Sequence, residues 1–276
     1  MPQTLTWRGG IIGPVDGAGL RPDRGGDTPG GLARRSIRVG NRDAAWGDLF
    51  DIAGDGGDGQ LILVGDLGSV HDLGAGMASG RLEVRGDVGH RLGVGMRGGE
   101  IEVDGSAGAG AGADLVGGLI RIRGDAGDDL GAALPGGRVG VRGGTILVHG
   151  SAGAGVGTAM RRGLIAVLGS VGGGAGRGRV AGSIFVGGTA GSGLGAGMKR
   201  GTIALLGDGP EPGPTFEPSG GLRPVVATLY LRQLVARGWP VPAGVSTGPL
   251  RRYNGDRAVG GQGEVWHFGG LMGEPA

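Results

Sequence analysis

The chain has no cysteine, and that one absence removes disulfides, thiolate zinc sites and iron–sulfur ligation from this polypeptide. Aromatic residues make up only 4% of its 276 residues, too few to interleave with basic side chains as nucleic-acid readers require, so nucleic acid is not expected as a partner. A pI near 9.6 does not change this. The formal net charge is +2, and with 4 His, 2 Tyr and no Cys little titrates between neutrality and high pH, so a small surplus of arginine carries the pI far upward. No signal peptide and no long apolar run is present, so a cytoplasmic location without membrane contact is the expectation.

What is abundant is glycine, at 74 residues. It is not spaced at every third position, which excludes collagen, and it recurs with a strict period that excludes disorder. Six segments carry the spacing G-x2-G-x3-G: Gly86/Gly89/Gly93, Gly105/Gly108/Gly112, Gly124/Gly127/Gly131, Gly150/Gly153/Gly157, Gly169/Gly172/Gly176 and Gly188/Gly191/Gly195. A dinucleotide fingerprint needs one such loop between a strand and a long helix, not repeated copies without helices. Fixed-period similarity of this kind is the mark of stacked units that bury their apolar edges only against their neighbours.

The columns of the repeat can be read directly. Lead residues Leu82, Ile101, Ile120, Ile146, Ile165, Ile184 and Ile203 are spaced 19, 19, 26, 19, 19 and 19 apart. Two positions on come Val84, Val103, Ile122, Val148, Val167, Val186 and Leu205, so each unit opens with a short strand buried on one face. Smaller inward columns follow at Val88, Ala107, Ala126, Ala152, Val171 and Ala190, and at Leu92, Ala111, Leu130, Val156, Ala175 and Leu194. A last column is expected at Met77, Met96, Leu115, Leu134, Met160 and Met198. The pattern predicts an all-β fold: a right-handed parallel β-helix of about seven 19-residue coils, about 34 Å tall at strand spacing, with a C-terminal α-helix packed on it. The expected divisions are a cap segment at 1–45, the β-helix at 46–207, and a linker with helix and tail at 208–276. The 26-residue step predicts a bulging loop over Pro135 to Gly143. Leu61–Gly68 reads as an earlier coil, and Phe50–Asp55 as half a coil more.

Outward strand positions are charged in the early coils: Glu83 and Arg85, Glu102 and Asp104, Arg121 and Arg123. In the later coils they are apolar, with Leu147, Ala166, Leu168, Phe185, Ala204 and Leu206. A monomer rarely leaves such a patch bare, so the helical stretch Val225 to Arg237 is expected to fold back over Leu168 and Phe185. Asp66, Asp87 and Asp125 share a column with Ser106, Ser151 and Ser170, which reads as turn chemistry rather than paired catalytic carboxylates.

Candidate functional residues fall into two groups. His71 and His90 occupy equivalent corners one coil apart, where they would clamp an anion or a metal, though no third ligand is visible in that column. Arg97, Arg161, Arg162, Lys199 and Arg200 follow the methionine column, with Arg179 at the methionine position of its own coil. They form a candidate edge for an acidic partner surface or an anionic tail.

The glycine repeat resembles the C-terminal β-helix domain of the glutamate synthase large subunit. Gly47–Phe50, Gly65–Leu67 with Val70–Met77, Gly118–Asp128, Gly195–Ile203 and Arg252–Asp256 carry a closer likeness, over about residues 36 to 260, to the β-helix subunit of formylmethanofuran dehydrogenase in the form found in the bacterial formyltransferase/hydrolase complex. That resemblance implies a non-catalytic structural subunit without a cofactor of its own. Its partners would be a formyltransferase subunit, moving formyl from tetrahydromethanopterin to a methanofuran-type carrier, and a metal-dependent amidohydrolase-like subunit releasing formate. It also implies contact with the carrier. A stand-alone β-helix hydrolase or lyase, and a glutamate-synthase-type spacer domain, are the alternatives.

Overall fold

The computed structural model describes residues 1–10, 13–24, 28–222, 225–241, 245 and 250–268; the outer part of the expected 208–276 segment, at 269–276, lies outside the described residues. The molecule is mostly β-sheet with few helices. The short apolar runs form the strands Gln60–Val64, Arg81–Arg85, Glu100–Val103, Leu119–Ile122, Thr145–Val148, Leu164–Val167, Ser183–Val186 and Thr202–Leu205. Each pairs in parallel with the next without a slip, so Leu61, Leu82, Ile101, Ile120, Ile146, Ile165, Ile184 and Ile203 lie in one line. The second column, from Leu63 to Leu205, is closed to solvent along its length. Past each strand, parallel bridges join Leu67, Val88, Ala107, Ala126, Ala152, Val171 and Ala190 in a third line. Fully burying a Leu or Ile side chain contributes about 1.5–3 kcal/mol, so these columns dominate the stability of the stack.

A further line runs through Met77, Met96, Leu115, Val141, Met160, Arg179 and Met198, all fully buried. From Met96 onward the residue after each donates its N–H to the carbonyl one coil back, as Arg97 does to Met77 and Arg161 to Val141. Leu134, expected here, is instead half-buried in the surplus loop, and Val141 takes its place. The loop therefore projects at Pro135–Arg138 and has rejoined the stack by Val141. Gly118 shows why the corner after this column is glycine: its φ is +92°, and a Cβ there would lie 2.7 Å from Met96 Cε.

Both ends of the ladder recruit strands from distant sequence. Gln3–Trp7 adds a parallel rung beside Gln60–Val64, and Gly263–His267 adds another beside Thr202–Leu205. Phe50–Ala53 pairs antiparallel to Gln3–Trp7, so it is an edge strand and not half a coil. Its short apolar pattern fits either role; the reversal of chain direction decides it. At the other end Leu250–Gly255 and Glu217–Leu222 add antiparallel strands, completing a sheet of 13. A second sheet of four contains Arg42–Ala45, Ser36–Val39, Val15–Asp16 and Val70–His71. Among the described residues no helix is long and apolar enough to cross a membrane.

The helix Val225–Ala236 lies against the apolar outward face. Its Ala227, Leu231 and Leu234, with Trp239 just beyond, share one buried cluster with Leu147, Ala166, Phe185, Ala204 and Leu206. Tyr230 meets the Phe185 ring at a centroid distance of 5.4 Å. The C-terminal end of the helix is tied down at the border with the charged face. Arg121 donates to Arg237 O at 3.0 Å, His149 Nε2 lies 3.0 Å from Gly238 O, and Trp239 Nε1 donates to Val148 O. A cation on the last carbonyls also opposes the helix dipole.

Two buried polar groups interrupt the apolar columns. Arg179 is fully buried, with Nη2 donating to Gly182 O at 3.1 Å and Nε and Nη1 unpartnered. Burial lowers its pKa to about 9, so it stays charged at neutral pH with no counter-ion among the described residues. Because the column otherwise takes methionine, leucine or valine, Arg179→Met should raise stability by about 1–4 kcal/mol in a thermal melt; a lowered midpoint would mean the guanidinium has a partner. His267 follows Leu205 in the second column and its Nε2 is unpartnered. Burial first, then nearby Arg251, holds its pKa below the ordinary 6.5. As pH falls through about 6.5 the unfolded chain takes up this proton before the folded one, so acidification costs stability. His267→Leu should flatten the acid limb of the unfolding midpoint against pH, and an unchanged limb would contradict the assignment.

Candidate functional site

Two corners of the stack carry the candidate residues. On the first, the residues that follow the methionine column rise coil by coil as Arg97, Val116, Arg142, Arg161, Val180 and Lys199, linked by backbone hydrogen bonds one coil back. At about 4.8 Å per rung the strip runs about 24 Å from Arg97 to Lys199. Arg162 and Arg200 stand beside it. All six cations are exposed, and none makes an ion pair or side-chain hydrogen bond among the described residues. Val116 and Val180, 41% and 38% exposed, put two apolar contacts between the charges.

Arg142 belongs to this strip although the fixed 19-residue count misses it, because it follows the seven-residue surplus. The signal for it is the glycine pair Gly143-Gly144, which matches Gly98-Gly99 and Gly117-Gly118. Arg179 is corrected in the opposite direction: it occupies the methionine position itself and points inward, so it offers nothing to a surface partner.

The structure brings His71 and His90 together on another corner, their rings 4.9 Å apart and inclined by 33°. Each Nδ1 is already used: His71 accepts the His90 N–H at 2.9 Å, and His90 accepts the Ala109 N–H at 3.0 Å. Only the Nε2 atoms are left to face a ligand. Partial burial, then the neighbouring His90 and Arg91 charges, lowers the His71 pKa. Among the described residues no group of three or more His, Asp or Glu is placed to hold a metal ion.

Side chains of the Asp/Ser column do the same work as the histidines. Asp87 accepts the Ser106 N–H, Ser106 the Asp125 N–H, Asp125 the Ser151 N–H and Ser151 the Ser170 N–H, each at 2.7–3.1 Å. Only Asp66 bonds within its own turn, to the Gly68 N–H. The short polar residues thus tie one coil to the next, where sequence reasoning placed them in local turns.

The charged outward face is an ion-pair network and not an open acid pair. Glu102, buried, meets Arg81 at 2.5 Å, Arg123 at 2.7 Å and Arg121 at 3.7 Å, while Arg123 also reaches Asp104 at 3.2 Å. Arg85 turns to Glu83 on its own strand. With its carboxylate held by three guanidinium groups, Glu102 is committed to structure. On the outer side of the covering helix, Val225, Val226, Leu229 and Val235 are exposed among the described residues.

No protein-family model matches the chain, and comparison with curated proteins gives no match. Among solved structures it is similar to a chain of the X-ray crystal structure of the formyltransferase/hydrolase complex (FhcABCD) from Methylorubrum extorquens in complex with methylofuran. The identity is 38%, the match covers 96% of this chain and 98% of that chain, and the TM-score is 0.89. With that identity sustained over nearly the whole of both chains, the protein belongs to the family of this formyltransferase/hydrolase complex component.

Proposed function

We propose that the chain is the structural, β-helical member of a formyltransferase/hydrolase complex in one-carbon metabolism. Its coils wind as a right-handed parallel β-helix, the hand that connections between parallel strands overwhelmingly take. Formyl transfer from a tetrahydromethanopterin-type donor to a methanofuran-type carrier, and hydrolysis of the formamide to formate, take place on partner subunits in the cytoplasm. Those formyltransferase and amidohydrolase-like partners hold the metal and the carriers. This chain contributes no catalytic group and no cofactor; it contributes rigid surfaces.

The observation that carries the proposal is the 38% identity over 96% of the chain to a component of FhcABCD. Two surfaces support it. The strip of Arg97, Arg142, Arg161, Arg162, Lys199 and Arg200 carries six cations with no ion pair among the described residues, and the exposed helix face adds Val225, Val226, Leu229 and Val235. Unpaired surface charge steers association with a partner of opposite sign and fixes its register. The strip accordingly docks an acidic partner surface, or the anionic part of a carrier of the methylofuran kind.

Purification of the chain alone and together with formyltransferase and amidohydrolase-like proteins tests the role. The expected result is stable co-elution with the partners and no formyl transfer or formamide hydrolysis by the chain alone; turnover by the isolated chain would overturn it. Charge reversal in the variant Arg161→Glu/Arg162→Glu should weaken assembly more than tenfold, about 1.4 kcal/mol. Unchanged assembly and turnover in that variant would remove the strip from the interface.

A further inference from the structure

The histidine corner ties successive coils and the N-terminal segment together through two imidazole rings. His71 Nδ1 accepts the His90 N–H at 2.9 Å, and one coil up His90 Nδ1 accepts the Ala109 N–H at 3.0 Å. The backbone of the same corner holds the N-terminal segment: Val15–Asp16 pairs in parallel with Val70–His71, and Gly17 donates its N–H to His71 O at 2.7 Å. The approach is close, since a Cβ on Gly17 would lie 2.7 Å from His71 O and 2.8 Å from Leu73 Cδ2. The rings thus stand where the cap meets the first coils.

An imidazole nitrogen accepts an N–H only when it carries no proton itself. Both rings are therefore neutral in this arrangement, with their one proton on Nε2. An imidazolium has N–H on both nitrogens and no acceptor to offer, so protonation sets donor against donor. Elsewhere the same coil-to-coil bond is made by oxygen. At the equivalent corner position two coils above His90, Asp128 Oδ1 accepts the Ala154 N–H at 2.7 Å, and in the Asp/Ser column the Ser151 and Ser170 hydroxyls accept the N–H groups of Ser170 and Thr189. Hydroxyls do not titrate in this range, and a carboxyl group keeps an accepting oxygen even when protonated. The histidines lose their acceptor on taking a proton, and they do so close to neutrality.

The charges around the rings do not make up the loss. The ring centroids are 4.9 Å apart, so a second imidazolium would meet the first. Arg91, beside His90, is a further cation. It is paired with Asp72, Nε–Oδ1 at 2.7 Å and Nη2–Oδ2 at 2.5 Å, so the adjacent carboxylate is already engaged. Asp16, on the strand paired with His71, accepts the Ala18 N–H at 3.0 Å, and Asp129 borders the cleft onto which His90 opens. Partial burial first, then His90 and Arg91, hold His71 below its ordinary 6.5 against the opposing pull of Asp72.

We propose that the His71–His90 corner is an acid-sensitive latch: the neutral rings lock the first coils and the N-terminal segment together, and protonation opens this corner while the rest of the stack stays closed. Above the ordinary imidazole value of 6.5 the open corner has no proton to gain, and the latch is shut. As pH falls through that value the open corner, with its rings in water, takes up protons that the closed corner excludes, so opening is progressively favoured. Local opening of this kind needs only the bonds at the corner to give way.

Nuclear magnetic resonance of the full chain tests the latch in two readings. Ring nitrogen shifts at about pH 8 should show the Nε2–H tautomer for both His71 and His90. Amide hydrogen exchange, corrected for the intrinsic effect of pH, should show protection of the Gly17, His90 and Ala109 amides falling about tenfold or more between about pH 8 and about pH 5. The Ser170 and Thr189 amides, held by hydroxyls, should keep their protection and so separate local opening from general acid unfolding. The variant His71→Asn/His90→Asn places an amide oxygen where Asp128 uses a carboxylate oxygen, and should hold the same amides at both pH values. An Nδ1–H tautomer or an imidazolium for either ring at about pH 8 overturns the proposal, whether or not the variant folds. So does protection that is unchanged at about pH 5, that is lost equally at Ser170 and Thr189, or that is lost to the same extent in the asparagine variant.

Discussion

Every feature of this molecule depends on one interaction, the backbone hydrogen bond from a residue to its equivalent neighbourhood one coil back. It recurs on the strand face, in the third-column bridges, after the methionine column and at the histidine corner. Once the coils are locked in that register, equivalent side chains must lie over one another, and the sequence is selected column by column. Apolar columns fill the interior, while Asp87, Ser106, Asp125 and Ser151 act as side-chain extensions of the same ladder, each accepting a neighbour's N–H. Interactions of this kind are nearest-neighbour in character, so stability is close to a sum over adjacent coils.

The same register turns the surface into a set of parallel strips, each with its own chemistry. One corner presents cations that have no partner among the described residues, another presents a pair of histidines with adjacent rings, and the flat face divides into a charged half closed by its own ion pairs and an apolar half closed by the helix. The net charge of +2 conceals this separation entirely. Backbone bonds between successive coils hold these differing surfaces at fixed spacing.

The interior was legible in the sequence because its period is local: Leu82, Ile101 and Ile120 announce themselves by spacing and type. The fold-back of Val225–Ala236 was legible too, from the bare apolar patch it had to cover. What spacing does not reveal is pairing between distant segments, so Gln3–Trp7 and Gly263–His267 were missed as rungs and Phe50–Ala53 was read as half a coil. The surplus loop displaced the count by a few residues, which put Leu134 in the place of Val141 and left Arg142 off the basic strip. Arg179 sat in the right column with the wrong consequence, since a charged side chain at a methionine position reads as exposed until the packing is seen.

The register itself is tested by cutting out one period. Removing residues 87–105 joins Gly86 to Ser106, which takes the position of Asp87, and leaves every column intact; removing 87–95 cuts the step from Leu82 to Ile101 to about half a period, too short to close a coil. The account predicts that the first deletion folds to a β-rich protein with a single cooperative thermal transition, and that the second does not. If the two deletions melt alike, equivalent residues do not stack at a spacing of 19 and the account fails.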